Sequence, residues 1–292
     1  METIARIEEL RGRMASARAG GAVVGLVPTM GYLHDGHVSL MAAARAACDV
    51  VVSTIFVNPL QFAAGEDLDA YPRDPDGDAA RAGAVGTDWL FCPEPAEMYP
   101  DGAESVATSV SVESLAAVME GASRPTHFAG VCTVVAKLFN IVGPCRAYFG
   151  EKDFQQLAII RRMVVDLSFP VEVVGCPVVR EPDGLAMSSR NVYLSAAERE
   201  VAPVLHEALL CGARLVRDGE RDASVVREAM ASVVRAAPLG ELDYVEVADP
   251  STLQPVAVAT PQVRLLGAVR FGRARLIDNV AVVATGSGGG SS

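Results

Sequence analysis

Two histidines three residues apart, with a glycine just before the second, are the residues of this chain best placed to do chemistry. They lie in Val27-Pro28-Thr29-Met30-Gly31-Tyr32-Leu33-His34-Asp35-Gly36-His37, directly after a short apolar run and before a helical stretch. At a helix start this spacing puts both imidazoles on one face. Gly36 lets a phosphate approach the backbone closely, and the helix N-terminus adds N–H donors and positive potential. Paired imidazoles there can donate hydrogen bonds to charge that develops during displacement at phosphorus. The chain has only four histidines, two of them in this motif. The competing readings are two incidental loop histidines, or a metal site, for which no nearby Cys or Glu completes the ligand set.

Two further segments carry phosphate chemistry. Met187-Ser188-Ser189-Arg190 follows a strand and the polar loop Arg180-Glu181-Pro182-Asp183-Gly184. Its hydroxyls and the guanidinium fork of Arg190 suit a triphosphate; a plain capped turn before the next domain is the bland alternative. In Phe149-Gly150-Glu151-Lys152-Asp153-Phe154-Gln155-Gln156 a strand runs in and a helix leaves. Gly150 permits close approach, Lys152 sits at the new helix N-terminus, and Gln156 follows one turn later on the ligand side of the sheet. The bland alternative for Lys152 is a solvated surface cation.

These segments need rigid elements to aim them. Residues 2–19 have Ile4, Ile7, Leu10 and Met14 at helical spacing and predict one helix. Residues 22–28 and 49–57 are apolar runs typical of strands buried on both faces; 88–93 is a third. Helices are expected at 38–48, 76–86, 128–142 and 152–167, and strands at 145–150 and 171–179. The β–α alternation predicts a parallel, doubly wound, Rossmann-like α/β sheet over residues 1–179, with ligands at the carboxyl ends of its strands. After Ser195 the pattern changes. Ser195 and Glu198 form a capping-box signature, helices are expected from 195 and over 222–236, and strands at 242–249 and 263–282. A smaller C-terminal α+β domain is therefore expected over 180–284, with the glycine- and serine-rich 285–292 as a flexible tail.

Composition narrows the partners. The chain has 292 residues, half of them apolar, and only 5% aromatic, so its core must rest on Val, Ala and Leu. A net charge of −11 argues against nucleic-acid binding, which needs clustered cations. The opening METIARIEELRGRM has no apolar signal-peptide run, and no segment approaches the roughly 20 apolar residues of a membrane span. Cysteines at 48, 92, 132, 145, 176 and 211 lack CxxC spacing; they read as small buried hydrophobes in a reducing compartment. A cytoplasmic protein without a membrane partner is expected.

The motifs together are specific. His34-Asp35-Gly36-His37 resembles the HxGH motif of the nucleotidyltransferase superfamily, and Met187–Arg190 resembles its mobile KMSKS-type loop, with Arg190 in place of lysine. VPTMGYLHDGH, IFVNPLQF (55–62), AYPR (70–73), RPTHFAGVCTVVAKLF (124–139), FGEKDFQQL (149–157) and GLAMSSRNVYL (184–194), in this order, resemble the pantothenate synthetases. The resemblance runs from about residue 22 to 195 and continues more thinly through LDYVEVADPSTLQPV and RLIDN. It implies an ATP-dependent ligase that adenylates pantoate and joins it to β-alanine, with Mg2+ accompanying ATP, working as a homodimer.

Residue roles follow from the resemblance. Met30, Gly31, Tyr32, Leu33, His34, Asp35, Gly36, His37, Gly150, Glu151, Lys152, Asp153, Val179, Met187, Ser188, Ser189 and Arg190 would hold ATP, with His34, His37 and Lys152 catalytic. Gln61 and Gln156 would grip pantoate; Gln61, Arg124 and His127 would meet β-alanine; the C-terminal domain would act as a lid. Tyr32 departs from the small residue usual at its position. Asp74-Pro75-Asp76-Gly77-Asp78 has a glycine where some relatives place an acid, so the metal ligand stays open between Asp78, the first candidate, and Asp76; a solvated helix start is the alternative. Two rivals remain. Another HxGH nucleotidylyltransferase would lack the paired glutamines and RPTHFAG, and would release a stable nucleotide product. A non-catalytic nucleotide-binding protein would have lost His34, His37 or Lys152.

Overall fold

The computed structural model describes residues 1–63 and 65–282; the expected tail at 285–292 lies outside them. Two compact units meet at the Val179–Arg180 bond.

The N-terminal unit runs β1 (Glu2–Ile4), α1 (Ile7–Ala19), β2 (Val24–Thr29), α2 (Asp35–Ala47), β3 (Val50–Ile55), α3 (Pro75–Ala84) and β4 (Trp89–Phe91). Short helices α4 (Pro95–Met98), α5 (Glu113–Ala116) and α6 (Glu120–Ser123) lead into α7 (His127–Val142), β5 (Cys145–Gly150), α8 (Phe154–Asp166) and β6 (Val171–Cys176). The six strands pair in parallel in the order β1-β4-β3-β2-β5-β6. Val24, Leu26, Val27, Val51 and Val52 are at most 2% exposed, which is why β2 and β3 read as unbroken apolar runs: helices cover both faces. Winding reverses between the adjacent central strands β2 and β5, the topological switch point where such sheets hold ligands.

Several element limits differ from the sequence expectation. Residues 2–4 are not helical but form an edge strand, with Glu2 opposite Trp89 and Ile4 opposite Phe91. Ile4 is fully buried by that pairing, so a tertiary contact overrides the helical spacing. The first crossover helix starts at Asp35 rather than 38, because His34 caps it. A 3-10 turn, Glu151–Asp153, precedes α8, and β6 stops at Cys176 rather than Val179.

The C-terminal unit contains α9 (Ala196–Val201), α10 (Val204–Arg217), α11 (Ala223–Ala236), β7 (Glu241–Ala248), β8 (Arg264–Phe271) and β9 (Ala274–Ala281). Its sheet is antiparallel, in the order β7-β8-β9. Ser195 and Glu198 cap α9 reciprocally, and the stretch expected as one helix is divided at Pro203, which has no N–H to continue it. Leu205, Leu209 and Val216 of α10 and Val226, Met230 and Val234 of α11 form a separate core with Val247, Leu265 and Val269 of the sheet.

Candidate active site

The loop after β2 is held rigid by side chains from its neighbours. Thr29 donates its hydroxyl to the Thr54 carbonyl at 2.6 Å and accepts the Gly31 N–H at 3.2 Å. Gly31 has φ +84°, and a Cβ there would sit 2.9 Å from both Asp78 Oδ2 and Ile55 Cγ2, so only glycine fits. Tyr32 also takes a left-handed φ of 51°. Asp78, in the first turn of α3 and 3% exposed, accepts the N–H of Tyr32 at 2.8 Å and of Leu33 at 2.6 Å. Burial pushes its carboxyl above the ordinary value against the pull of those two donors.

That loop delivers His34 and His37 to the first turn of α2 as a reciprocal cap. His34 Nδ1 accepts the Gly36 N–H at 3.1 Å, and His37 Nδ1 accepts the His34 N–H at 3.3 Å. A nitrogen that accepts from an N–H carries no proton, so in both neutral rings the proton sits on Nε2. The ring centroids are 4.1 Å apart. Burial lowers the His34 pKa to about 4, aided by the cation of Lys152; burial, then His34, lowers that of His37 to about 3. Both rings are therefore neutral N–H donors near pH 7. Lys152 comes close because β5 lies beside β2, with Leu26 opposite Ala147; its Nζ is 3.3 Å from Asp153. Gly150 ends β5, and Glu151 opens the turn that carries Lys152. Asp35 is exposed and pairs with Arg81 at 3.4 Å.

A second cluster forms at the end of β3. Asn58, fully buried, donates through Nδ2 to Gln61 Oε1 at 3.0 Å and to the Gly130 carbonyl at 3.1 Å. Its Oδ1 accepts the Tyr99 hydroxyl at 2.7 Å. This chain orients the Gln61 amide: with Oε1 engaged, Nε2 is left as the donor. Gly130 makes the approach possible, since a Cβ there would fall 2.1 Å from the Leu60 carbonyl oxygen. The Gln61 carbonyl accepts from Arg124 at 3.1 Å and from His127 Nδ1 at 3.0 Å. His127 thus carries its proton on Nδ1, the reverse of the other pair, and burial with nearby Arg124 lowers its pKa to about 4. Arg124 also donates Nε, at 2.8 Å, and Nη2 to the Glu66 carboxylate. On α8, Gln155 is buried and donates to the carbonyls of Leu115 and Val118, each at 2.8 Å, whereas Gln156 beside it is half-buried.

Met30, Gly31, Tyr32, Leu33, His34 and His37 thus share one loop and cap, with Lys152 and Asp153 beside it; Gln61, Arg124 and His127 share another cluster. Val179 ends the N-terminal unit. Met187–Arg190 belong to the C-terminal unit, where Ser188 accepts the Arg190 N–H at 3.3 Å and opens a 3-10 turn over Ser189–Tyr193. Asp76 is exposed in the first turn of α3. Among the described residues no group of three His, Cys, Asp or Glu could hold a metal ion, and both Asp78 oxygens are occupied by the loop. All six cysteines are unpaired; burial pushes Cys132 up to about 12 and Cys92 to about 11, so neither is a thiolate nucleophile near neutral pH. Sequence reading missed Tyr99 and Glu66 and gave Asn58 no role. The Asn58-Pro59 pair, an N-cap followed by Pro at N1, was the available signal for Asn58.

Comparison with known proteins places the chain in a family. The family model described as Pantoate-beta-alanine ligase matches residues 2–281. A pantothenate synthetase of Moorella thermoacetica is 52% identical over 97% of this chain and 99% of its own. One of Nitratidesulfovibrio vulgaris is 56% identical over 90% and 92%. The crystal structure of pantothenate synthetase from Thermus thermophilus superposes with a TM-score of 0.91 at 50% identity, covering 97% of this chain and 100% of that one. A pantoate-beta-alanine ligase from Francisella tularensis, complexed with beta-gamma ATP and beta-alanine, gives 0.78 at 33% identity over 96% and 97%.

Proposed function

Because the chain belongs to the pantoate-beta-alanine ligase family, we propose that it condenses (R)-pantoate with β-alanine to pantothenate through a pantoyl-adenylate intermediate, with ATP leaving as AMP and pyrophosphate. The observation that carries the residue assignment is the His34–His37 cap: two neutral Nε2–H donors beside Lys152 at the switch point of the sheet. In the first half-reaction the pantoate carboxylate attacks the α-phosphorus. His34, His37 and Lys152 donate to the phosphate oxygens as charge moves toward pyrophosphate. Gln61, through its Nε2, and the half-buried amide of Gln156 orient pantoate without neutralising its carboxylate. In the second, the β-alanine amine attacks the acyl carbon and AMP leaves. Arg124 suits the β-alanine carboxylate; the bare Nε2 of His127 is an acceptor and suits the amine end.

Magnesium enters as part of the nucleotide, held mainly by phosphate oxygens and water. Asp78 accepts two loop N–H groups and Asp76 is exposed in the first turn of α3; either carboxylate would only add to that shell. Met30–His37, Gly150–Asp153 and Val179 make up the nucleotide site, and residues 180–284 serve as a lid that brings Met187, Ser188, Ser189 and Arg190 onto the triphosphate. The six unpaired cysteines suit the cytoplasm, and no described helix is long and apolar enough to cross a membrane. A homodimer is part of the same proposal, checked by sedimentation equilibrium.

The decisive assay is pyrophosphate release from ATP, Mg2+ and (R)-pantoate, with and without β-alanine. Release that needs pantoate, and that becomes multiple-turnover with AMP as co-product on adding β-alanine, is expected. A stable nucleotide-linked product would overturn the proposal, as would release with another acid. ATP should also protect residues 180–195 from proteolysis; equal cutting with and without ATP would remove the lid.

A further inference from the structure

The stretch Arg275-Leu276-Ile277-Asp278-Asn279 carries family resemblance, yet the proposed function gives it no role. Asp278, on β9, is 4% exposed. Its carboxylate receives both arms of Arg180, Nη1 on Oδ2 at 2.6 Å and Nη2 on Oδ1 at 2.9 Å. The same guanidinium donates to the Gly184 carbonyl at 3.0 Å and the Asn279 carbonyl at 3.4 Å. Arg180 pairs antiparallel with Ala186, and Glu181 donates its N–H to the Leu185 carbonyl at 2.8 Å. Residues 180–186 therefore form a small hairpin, gripped from inside by one guanidinium and handing the chain directly to Met187. On the far side, Asn191 donates to the Ala186 carbonyl at 3.1 Å. From α10, His206 brings Nδ1 to 3.5 Å from Asp278 Oδ2, and among the described residues that buried nitrogen has no hydrogen-bond partner.

A buried ion pair is weak evidence for stability, because desolvation offsets its attraction. A bidentate guanidinium–carboxylate fork does supply a fixed orientation that a lysine or a neutral pair cannot. We propose that Asp278 is a positioning residue: by locking Arg180 it sets the root of the Met187–Arg190 segment, and so the fit of that segment to the triphosphate of ATP. The proposal rests on the assignment of that segment to ATP, and the test separates the two.

Steady-state constants would be measured for each substrate in Arg190→Ala, Asp278→Asn and their double variant, with thermal melts confirming folding. The expected result is a KM for ATP raised about tenfold or more in each single variant, with KM for pantoate and β-alanine within about twofold, and a double variant little worse than Arg190→Ala alone. If Arg190→Ala raises KM for ATP but Asp278→Asn lowers only kcat, leaving every KM unchanged, Asp278 is merely structural and the proposal is overturned. No change in Arg190→Ala would overturn the assignment of the segment and the proposal together. Should Asp278→Asn fail to fold, Arg180→Lys, which keeps the charge and loses the fork, replaces it; an unchanged KM for ATP there is equally fatal.

Discussion

His34 and His37 on one side and His127 on the other are neutral imidazoles of opposite polarity. At the start of α2 the rings meet backbone N–H groups, so each Nδ1 accepts and each Nε2 bears the proton. At the start of α7 the ring meets the Gln61 carbonyl, so Nδ1 bears the proton and Nε2 is bare. One residue type becomes a donor or an acceptor according to the single backbone group its other nitrogen meets. The polarities match the ligands proposed for each place: phosphate oxygens require donors, and an amine requires an acceptor.

The largest effect should come from removing a donor. His37→Ala is expected to slow single-turnover pyrophosphate release about 100- to 1000-fold, the scale of losing one donor to developing charge; an undiminished rate would end the donor half of the comparison. Next is the frame that aims the donors. Asp78→Ala leaves two loop N–H groups without their buried acceptor and should cost about 3 kcal/mol in urea unfolding, whereas a loss under about 0.5 kcal/mol, the scatter of an ordinary surface change, would mean that the loop holds itself. His127→Asn keeps a donor for the Gln61 carbonyl but removes the bare nitrogen. It should raise KM for β-alanine about tenfold, equivalent to one hydrogen bond to a charged or reacting group, with KM for ATP unchanged. A rise in KM for ATP instead would contradict the division of labour.

The pH dependence sharpens the comparison without substitutions. All three histidines have pKa values lowered to about 4, 3 and 4, so between their native values and the unfolded 6.5 the unfolded chain binds more protons. Their contribution to stability is complete above pH 6.5 and is lost as pH falls toward 4. Urea midpoints from pH 7 to 4.5 should decline accordingly, while pyrophosphate release shows no midpoint near 6.5 from His34 or His37. The smallest expected change in stability is His34→Asn. Its Oδ1 can still cap α2, so stability should stay within about 0.5 kcal/mol, while kcat/KM for ATP falls because Nε2–H is gone.

Local patterns made most of the frame legible. Apolar runs marked β2 and β3 because both faces are covered, and Ser195 with Glu198 marked a helix start because a cap is a contact between near neighbours. β1 was hidden because three residues hold their conformation only through pairing with Trp89–Phe91. Asn58 and Gly130 are 72 residues apart, and nothing in either segment announces that one amide orients Gln61 from the other's carbonyl. Arg124 and Glu66 meet across 58 residues in the same way.

By itself, then, the order of residues determined the alternation of strands and helices, the place of the His34–His37 turn between the first central strand and its helix, and the set of motifs that name the family. These rest on interactions within a turn or on periodicity, which the chain carries locally. Only the tertiary structure decided that Asp78 braces that turn, that the two helix starts present opposite faces of the same imidazole, and that Arg180 is locked to Asp278. Each depends on which backbone or side-chain group a distant segment brings within about 3 Å, the reach of a hydrogen bond.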